Sequence, residues 1–173
     1  MMNLLYRIYF GLPNFAVLGL LGKAINRGLG FLLKWIFDAF VPTYLQKTAV
    51  SAGFGLNTEK RDRLYIVSLT SFPARIDDIW VTIEILLRQT FKPDKIILWL
   101  AQNQFPSTKA IPESLFQLLD RGLTIEFCEE DLRAHKKYFY AFQQYPDANI
   151  ITVDDDLYYD RYLLSPSTLS CRK

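Results

Sequence analysis

The sequence predicts an α/β fold: a Rossmann-like, mostly parallel and doubly wound sheet, preceded by a hydrophobic and basic helical segment. Three observations predict this fold class. Short apolar runs alternate with stretches of helical periodicity from Leu64 onward. The apolar runs are nearly continuous and rich in β-formers, which is typical of parallel strands covered on both faces. Strands that alternate with helices form parallel sheets with right-handed crossovers.

Four strands and three helices are predicted along this part of the chain. The helical stretch after the first strand has apolar residues at i, i+3, i+4 and i+7, so one face is expected to be buried, with Ile83 and Leu87 in the core. Pro93 stops that helix, and Gly122 ends the next one. The predicted strands are 64–69, 95–100, 123–128 and 149–153, and the predicted helices are 76–90, 112–119 and 136–145.

Composition excludes several classes of protein. Hydrophobic residues make up 50% and charged residues 22% of the 173 residues, so the chain is not intrinsically disordered. The formal net charge of +2 is too small to favour a nucleic-acid partner, and none is expected. Cys128 and Cys171 lack metal-ligand spacing and indicate a reducing compartment. His135 is the only histidine, which excludes a metal site built from several histidines.

Residues 1–50 differ from the rest of the chain, with five basic residues and one acidic residue. The longest uncharged run, 8–22, has 15 residues, whereas a membrane span needs about 20. Lys23, Arg27 and Lys34 fall on one helical face. We therefore predict an amphipathic helix that lies in a membrane interface with its basic side toward anionic headgroups. A hydrophobic helix packed on the domain is the alternative, and a signal peptide is less consistent with the residues around Lys23.

The remaining boundaries follow from composition. Residues 51–63 are rich in small, polar and charged residues and are predicted to be a linker. Residues 64–164 are predicted to form the α/β domain, and residues 165–173 a polar tail.

An acidic triplet, Asp154-Asp155-Asp156, follows the fourth predicted strand directly. Ligands of open α/β sheets bind beyond the carboxyl ends of the strands, so the triplet is expected at a ligand site. Adjacent carboxylates repel one another unless a cation neutralises them. Mg²⁺ and Mn²⁺ prefer oxygen ligands and bridge carboxylates to a diphosphate. A solvated acidic turn is the alternative.

Other polar residues are expected at the same edge of the sheet. Thr70, Ser71 and Arg75 follow the first strand. Arg75 can hold phosphate oxygens with its fork of donors, unless it is a solvated loop arginine. Lys136 and Lys137 can neutralise a diphosphate as point charges, unless they only begin a surface helix.

For four further residues, a structural role is at least as well supported by the sequence as a role in ligand binding. Asp131 can cap a helix or contact a nucleobase. His135 is expected to be structural or at the surface. Tyr158 and Tyr159 are expected to pack in the fold, although they can also wall a sugar pocket.

Several sequence blocks occur together and in order, which is more specific than an isolated DxD motif. They are VSLTSFPARI at 67–76, LLRQTFKPDKIILWL at 86–100, KK at 136–137, YP at 145–146 and ITVDDD at 151–156. Over about residues 64–164 the chain resembles bacterial GT-A-type glycosyltransferases of capsule and surface-polysaccharide assembly.

The resemblance implies a nucleotide-sugar donor and a DxD metal site for Mn²⁺ or Mg²⁺. Asp154 and Asp156 correspond to the outer acids of DxD and are the implied metal ligands. The implied nucleotide-sugar-binding residues are Thr70, Ser71, Arg75, Lys136, Lys137, Asp154 and Asp155. No catalytic residue is assigned.

The function expected on this basis is sugar transfer from the donor to a growing surface glycan or lipid-linked acceptor. The expected location is the cytoplasmic, inner face of the cell membrane, with peripheral attachment. Only 17 residues follow Asp156, so we expect the acceptor-binding half to be missing. A truncated, non-catalytic, membrane-peripheral remnant is therefore the alternative. A nucleotidyltransferase is disfavoured, because residues 68–73 contain no glycine.

Overall fold

A computed structural model describes residues 19–49 and 51–165 of the chain. The chain divides into two compact units, with the boundary between residues 49 and 50. The first 18 residues of the predicted amphipathic segment and residues 166–173 of the predicted tail lie outside the described residues.

Helix α1 is the described part of the first unit and spans Gly19–Thr48, with Pro42 inside it. Lys23, Arg27 and Lys34 are exposed, and Lys34 pairs with Asp38 at 3.3 Å. A stripe on the helix is buried, and it consists of Gly22, Leu33, Phe37, Val41 and Leu45. Within residues 19–49 and 51–165, we find no helix whose length and apolarity would let it cross a membrane.

The second unit contains a four-stranded sheet in which every pair of neighbouring strands is parallel, in the order β3-β2-β1-β4. The strands are β1 (Tyr65–Thr70), β2 (Lys95–Ala101), β3 (Leu123–Cys128) and β4 (Asn149–Thr152). The helices are α2 (Ile79–Leu87), α3 (Glu113–Leu119) and α4 (Lys136–Gln144), with short 3₁₀ turns at Thr108–Ala110 and Arg133–His135. The predicted α/β class and parallel sheet are confirmed.

The sheet is covered by helices on both faces. Alternate residues of β1 and β2 point to opposite sides, as the two-residue period of a strand requires. Val67 and Leu98 pack with the apolar residues of α2 and α3. Ile66 and Ile97 pack with Ala141 of α4 on the other side. β1 and β2 have no exposed face, which explains the continuous apolar runs of these two strands.

Helix α2 differs from the prediction of a one-sided helix at 76–90. It is shorter, and all of its residues except Trp80 are buried, including Glu84. The chain after the acidic triplet covers its second side: the Thr82 hydroxyl donates to the Asp155 carbonyl at 3.0 Å, and the Gln89 amide donates to the Asp160 carbonyl at 2.8 Å. The buried Glu84 carboxylate is paired with Arg88, directly after α2, and with Arg121 in the α3–β3 turn. Ile83 and Leu87 are fully buried, as predicted.

Residues 51–63, predicted to be a linker, contain no helix or strand. They are hydrogen-bonded to the amino-terminal edge of the sheet. The Gly55 amide donates to the Arg121 carbonyl at 2.9 Å, and the Asn57 side chain donates to Asp94 Oδ1 at 2.7 Å. Segment 51–63 is therefore attached to the domain along its length.

Candidate functional site

A cavity of about 600 Å³ lies at the carboxyl edge of the sheet, where β1, β2, β3 and β4 end. All eight residues that the sequence nominated line this one cavity: Thr70, Ser71, Arg75, Lys136, Lys137, Asp154, Asp155 and Asp156. The cavity walls come from the segments after β1, β2, β3 and β4 and from the start of α4.

Strand pairing brings the triplet to the segment after β1. The Val153 amide donates to the Ser68 carbonyl at 3.1 Å, which extends the β1–β4 ladder by one residue. The acidic triplet then begins at Asp154, the first residue beyond the ladder. Thr70 ends β1, and its hydroxyl donates to the Trp99 carbonyl at 2.7 Å. The hydroxyl of Thr70 is thus used to join β1 to β2.

Asp155 points into the protein, with only 10% of its side chain exposed. Its carboxylate accepts hydrogen bonds from Ser71 Oγ at 2.8 Å and from an Arg75 terminal nitrogen at 2.9 Å. The middle acid of the triplet therefore ties the loop after β1 to the segment after β4. Asp155 and Ser71, both nominated as ligand-binding residues, hold each other in this structure.

Asp154 and Asp156 are exposed to the cavity, with 59% and 50% of their side chains accessible. The Lys137 ammonium lies 2.6 Å from Asp154 Oδ1, and Arg75 lies 2.8 Å from Asp156 Oδ2. Each outer acid is thus paired with one basic side chain. The hydroxyl of Tyr159 accepts the backbone N–H of Asp154 at 2.7 Å and fixes the start of the triplet.

Two pKa shifts accompany this arrangement. The hydrogen bond to Asp155 raises the pKa of Arg75, and the charges of Asp155 and Asp156 add to the rise. Burial raises the pKa of Tyr159, so its hydroxyl stays neutral beside the acids. Arg75 also lies over the Phe72 ring, 5.5 Å from its centroid, which orients the guanidinium plane.

A second group of polar residues, from the segments after β2 and β3, completes the cavity. The Lys136 ammonium is 2.6 Å from Asp131 Oδ1, and the Gln104 amide donates to Asp131 Oδ2 at 2.7 Å. The hydrogen bond from Lys136 holds the pKa of Asp131 below its ordinary value. Lys136 is buried and committed to Asp131, whereas Lys137 faces the triplet.

Sequence reasoning assigned no role to Gln104 and left Asp131 with two interpretations. The signal that would have found both is their position: Gln104 follows β2, and Asp131 follows β3. Ligands bind beyond the carboxyl ends of all strands in such a sheet, so both positions are candidate site positions. His135 is exposed, and its ring contacts the Tyr138 hydroxyl.

Asp154 and Asp156 are the residues of this cavity that could hold a divalent cation. Among residues 19–49 and 51–165, no group of three or more His, Cys, Asp and Glu side chains is arranged to hold a metal by itself. Mg²⁺ is commonly bound by one or two carboxylates, with substrate phosphates and water as the other ligands. Asp154 and Asp156 offer two accessible carboxylates of that kind in one cavity.

Comparisons of the chain with protein-family models, with curated proteins and with solved structures find no match in any of the three.

Proposed function

We propose that the chain carries the nucleotide-sugar-binding half of a metal-dependent, GT-A-type glycosyltransferase. One observation carries the proposal: the acidic residues after β4 meet basic residues from the loop after β1 and from α4 across one cavity. The cavity lies at the carboxyl edge of a parallel sheet, where α/β proteins bind nucleotides. Its volume of about 600 Å³ is within the range of small-molecule sites.

The proposed reaction transfers a sugar from a nucleoside diphosphate to a glycan or lipid-linked acceptor. Bond cleavage leaves negative charge on the departing diphosphate, and positive charge placed there stabilises the transition state. Asp154 and Asp156 would hold Mn²⁺ or Mg²⁺, which supplies Lewis-acid stabilisation of that leaving group. Arg75, from the loop after β1, and Lys137, from α4, would bind the diphosphate oxygens.

We also propose that α1 attaches the protein peripherally to the cytoplasmic face of the cell membrane. Leu20, Phe31 and Trp35 are 87%, 75% and 65% exposed and fall within about 60° of one another around the helix axis. Lys23, Arg27 and Lys34 form a basic stripe along the edge of that apolar arc. This combination suits a helix lying in the headgroup region of an anionic bilayer.

The test of the nucleotide site is calorimetry with UDP and other nucleoside diphosphates, with and without Mn²⁺. Asp156→Ala should abolish the Mn²⁺-dependent part of the affinity, because it removes one of two accessible carboxylates. Asp147→Ala is the matched control: Asp147 is an exposed acid at the turn before β4, outside this cavity. Equal Mn²⁺-dependent affinity in wild type and Asp156→Ala would refute the site. Binding without sugar transfer would favour the non-catalytic remnant.

A further inference from the structure

We propose that Lys137 and Arg75 are exchangeable counter-ions that couple metal binding to diphosphate binding. Without a metal they neutralise Asp154 and Asp156. When the metal takes those carboxylates, both basic side chains become available to the diphosphate of the donor. This inference rests on the proposed function and specifies how metal binding prepares its site for the donor.

The contacts of the outer acids are suited to exchange. Asp154 and Asp156 are each at least half exposed, so their ion pairs with Lys137 and Arg75 are screened by water and weak. A divalent cation brings twice the charge of either side chain and favours carboxylate oxygen. It therefore competes with both basic groups for the same two carboxylates.

Arg75 has a second contact that would keep it in the cavity after exchange. The terminal nitrogen that contacts Asp156 also donates to Asp155 at 2.9 Å. Asp155 is mostly buried and is held by Ser71. A guanidinium carries five N–H donors, so Arg75 can stay on Asp155 while its other donors turn toward phosphate oxygens.

Lys137 also remains close to the triplet once Asp154 is taken. Its ammonium lies 3.3 Å from the Val153 carbonyl, and its own carbonyl accepts the Ser68 hydroxyl. The second contact fixes the backbone of the first turn of α4 on β1. The backbone of Lys137 is therefore held in place, and its side chain stays at the cavity when Asp154 binds the metal.

The charge of the cavity explains why the metal and the diphosphate should help each other. Four acidic residues line it, Asp131, Asp154, Asp155 and Asp156, and so do four basic residues, Arg75, Arg133, Lys136 and Lys137. The sum is zero, which gives a diphosphate anion no net attraction. A bound divalent cation raises the sum to +2. By linkage, the diphosphate must then raise the affinity for the metal by the same factor.

The test measures the affinity for Mn²⁺ alone, from the electron paramagnetic resonance signal of free Mn²⁺, on the full chain. Lys137→Gln and Arg75→Gln should each bind Mn²⁺ about 2- to 5-fold more tightly than wild type, because a weak competing ion pair is gone. In both variants Mn²⁺ should increase the affinity for UDP by a smaller factor than in wild type. A residue with a purely structural role would not tighten metal binding when it is removed.

Arg133→Gln is the matched control, because it removes a positive charge from the cavity wall and leaves the ion pairs of Asp154 and Asp156 in place. It should change the affinity for Mn²⁺ less than the other two variants do. Unchanged or weaker Mn²⁺ binding in both Lys137→Gln and Arg75→Gln would overturn the exchange while leaving the proposed function standing. Wild-type protein that binds neither Mn²⁺ nor UDP would overturn both.

Discussion

Lys136 is a buried cation in the cavity wall, with 2% of its side chain exposed, and Asp131 is its partner. A buried ammonium is costly unless a carboxylate and further hydrogen bonds compensate it. Asp131 supplies the carboxylate, and its other oxygen is held by Gln104. This pair orders the segment after β3 against α4, so it shapes the cavity beside the triplet.

Asp131→Asn should destabilise the domain by about 3 kcal/mol at neutral pH, because it leaves the Lys136 ammonium buried without a charge partner. This is the lower end of the range for broken buried pairs, since 21% of the Asp131 side chain is exposed. Urea unfolding measures the change. The double variant Asp131→Asn with Lys136→Met should recover most of the loss, because no unpaired charge remains.

The same pair predicts a dependence on pH. The native pKa of Asp131 lies below its ordinary value of 3.8, with the hydrogen bond from Lys136 as the largest cause. A lowered native pKa contributes stability that is complete above the unfolded pKa and is lost as the pH falls through the native value. The difference between wild type and Asp131→Asn should therefore be constant from pH 5 to 7 and shrink below about pH 4. A difference that stays constant into the acid range would contradict this ion pair.

The sequence predicted which residues line the cavity but not how they pair. Position after a strand end was enough to nominate Arg75 and the triplet. The separate partners of Lys136 and Lys137 depend on side-chain direction in the first turn of α4, where neighbours point about 100° apart. That direction is set by how α4 packs on the sheet, which residue spacing does not reveal.

Among the elements, the turn between α3 and β3 shows how segment 51–63 is held. Gly122 has a φ of +114°, and a Cβ there would lie 2.4 Å from Cγ of Leu56. Arg121 in the same turn donates to the Gly53 carbonyl at 3.1 Å and accepts the Gly55 amide. A side chain at Gly122 would push segment 51–63 away from the domain.

Gly122→Ala should cost about 2 kcal/mol or more, because an unfavourable backbone conformation and a steric clash add together. Gly53→Ala is the matched control. Gly53 has a φ of +55°, but a Cβ added there would have no atom within 4 Å, so only the backbone cost of about 1 kcal/mol applies. Thermal unfolding of both variants compares the two. Equal losses would show that Leu56 does not rest on Gly122.

The strands were predictable because each apolar run is bounded by turn residues, and all predicted limits lie within one residue of those observed. Helix α2 was predicted less well. It begins at Ile79 rather than residue 76 and ends at Leu87 rather than residue 90. Its second buried side is created by residues 155–164, which bond to Thr82 and Gln89. Those residues have no helical or strand periodicity, so their packing against α2 could not be predicted from the pattern of the chain.

At the scale of the whole molecule, the four most exposed large apolar side chains of the described residues are all on α1. Leu20, Phe31 and Trp35 are among its most exposed side chains. Such a cluster, flanked by basic residues, is more typical of an interaction surface than of a scattered surface composition. In the proposed reaction, the second unit would then bind the charged donor, and the first unit would bind the membrane that carries the acceptor.

Replacing Lys23, Arg27 and Lys34 with Gln should weaken binding to phosphatidylserine vesicles about 100-fold, at roughly 1 kcal/mol for each basic residue. High salt should weaken wild-type binding similarly, because the attraction is screened. Some binding should remain through the apolar arc. Vesicle co-sedimentation measures each case, with Lys47→Gln as the control: Lys47 is in the last turn of α1 and off the basic stripe. An affinity for vesicles that changes neither with salt nor with the triple substitution would contradict the interfacial position.

The hydrogen bond between Ser71 and Asp155 joins side chains that are 84 positions apart. At ribosomal rates of roughly 5–20 residues per second, about 4–17 seconds separate the synthesis of its two ends. During that interval β1 has an edge without its β4 partner, and the cavity lacks the acidic triplet. Under the proposed function, a growing chain would bind a donor only once the sheet is complete. Donor binding would stabilise only the finished domain, and it would then measure how much newly made protein has folded.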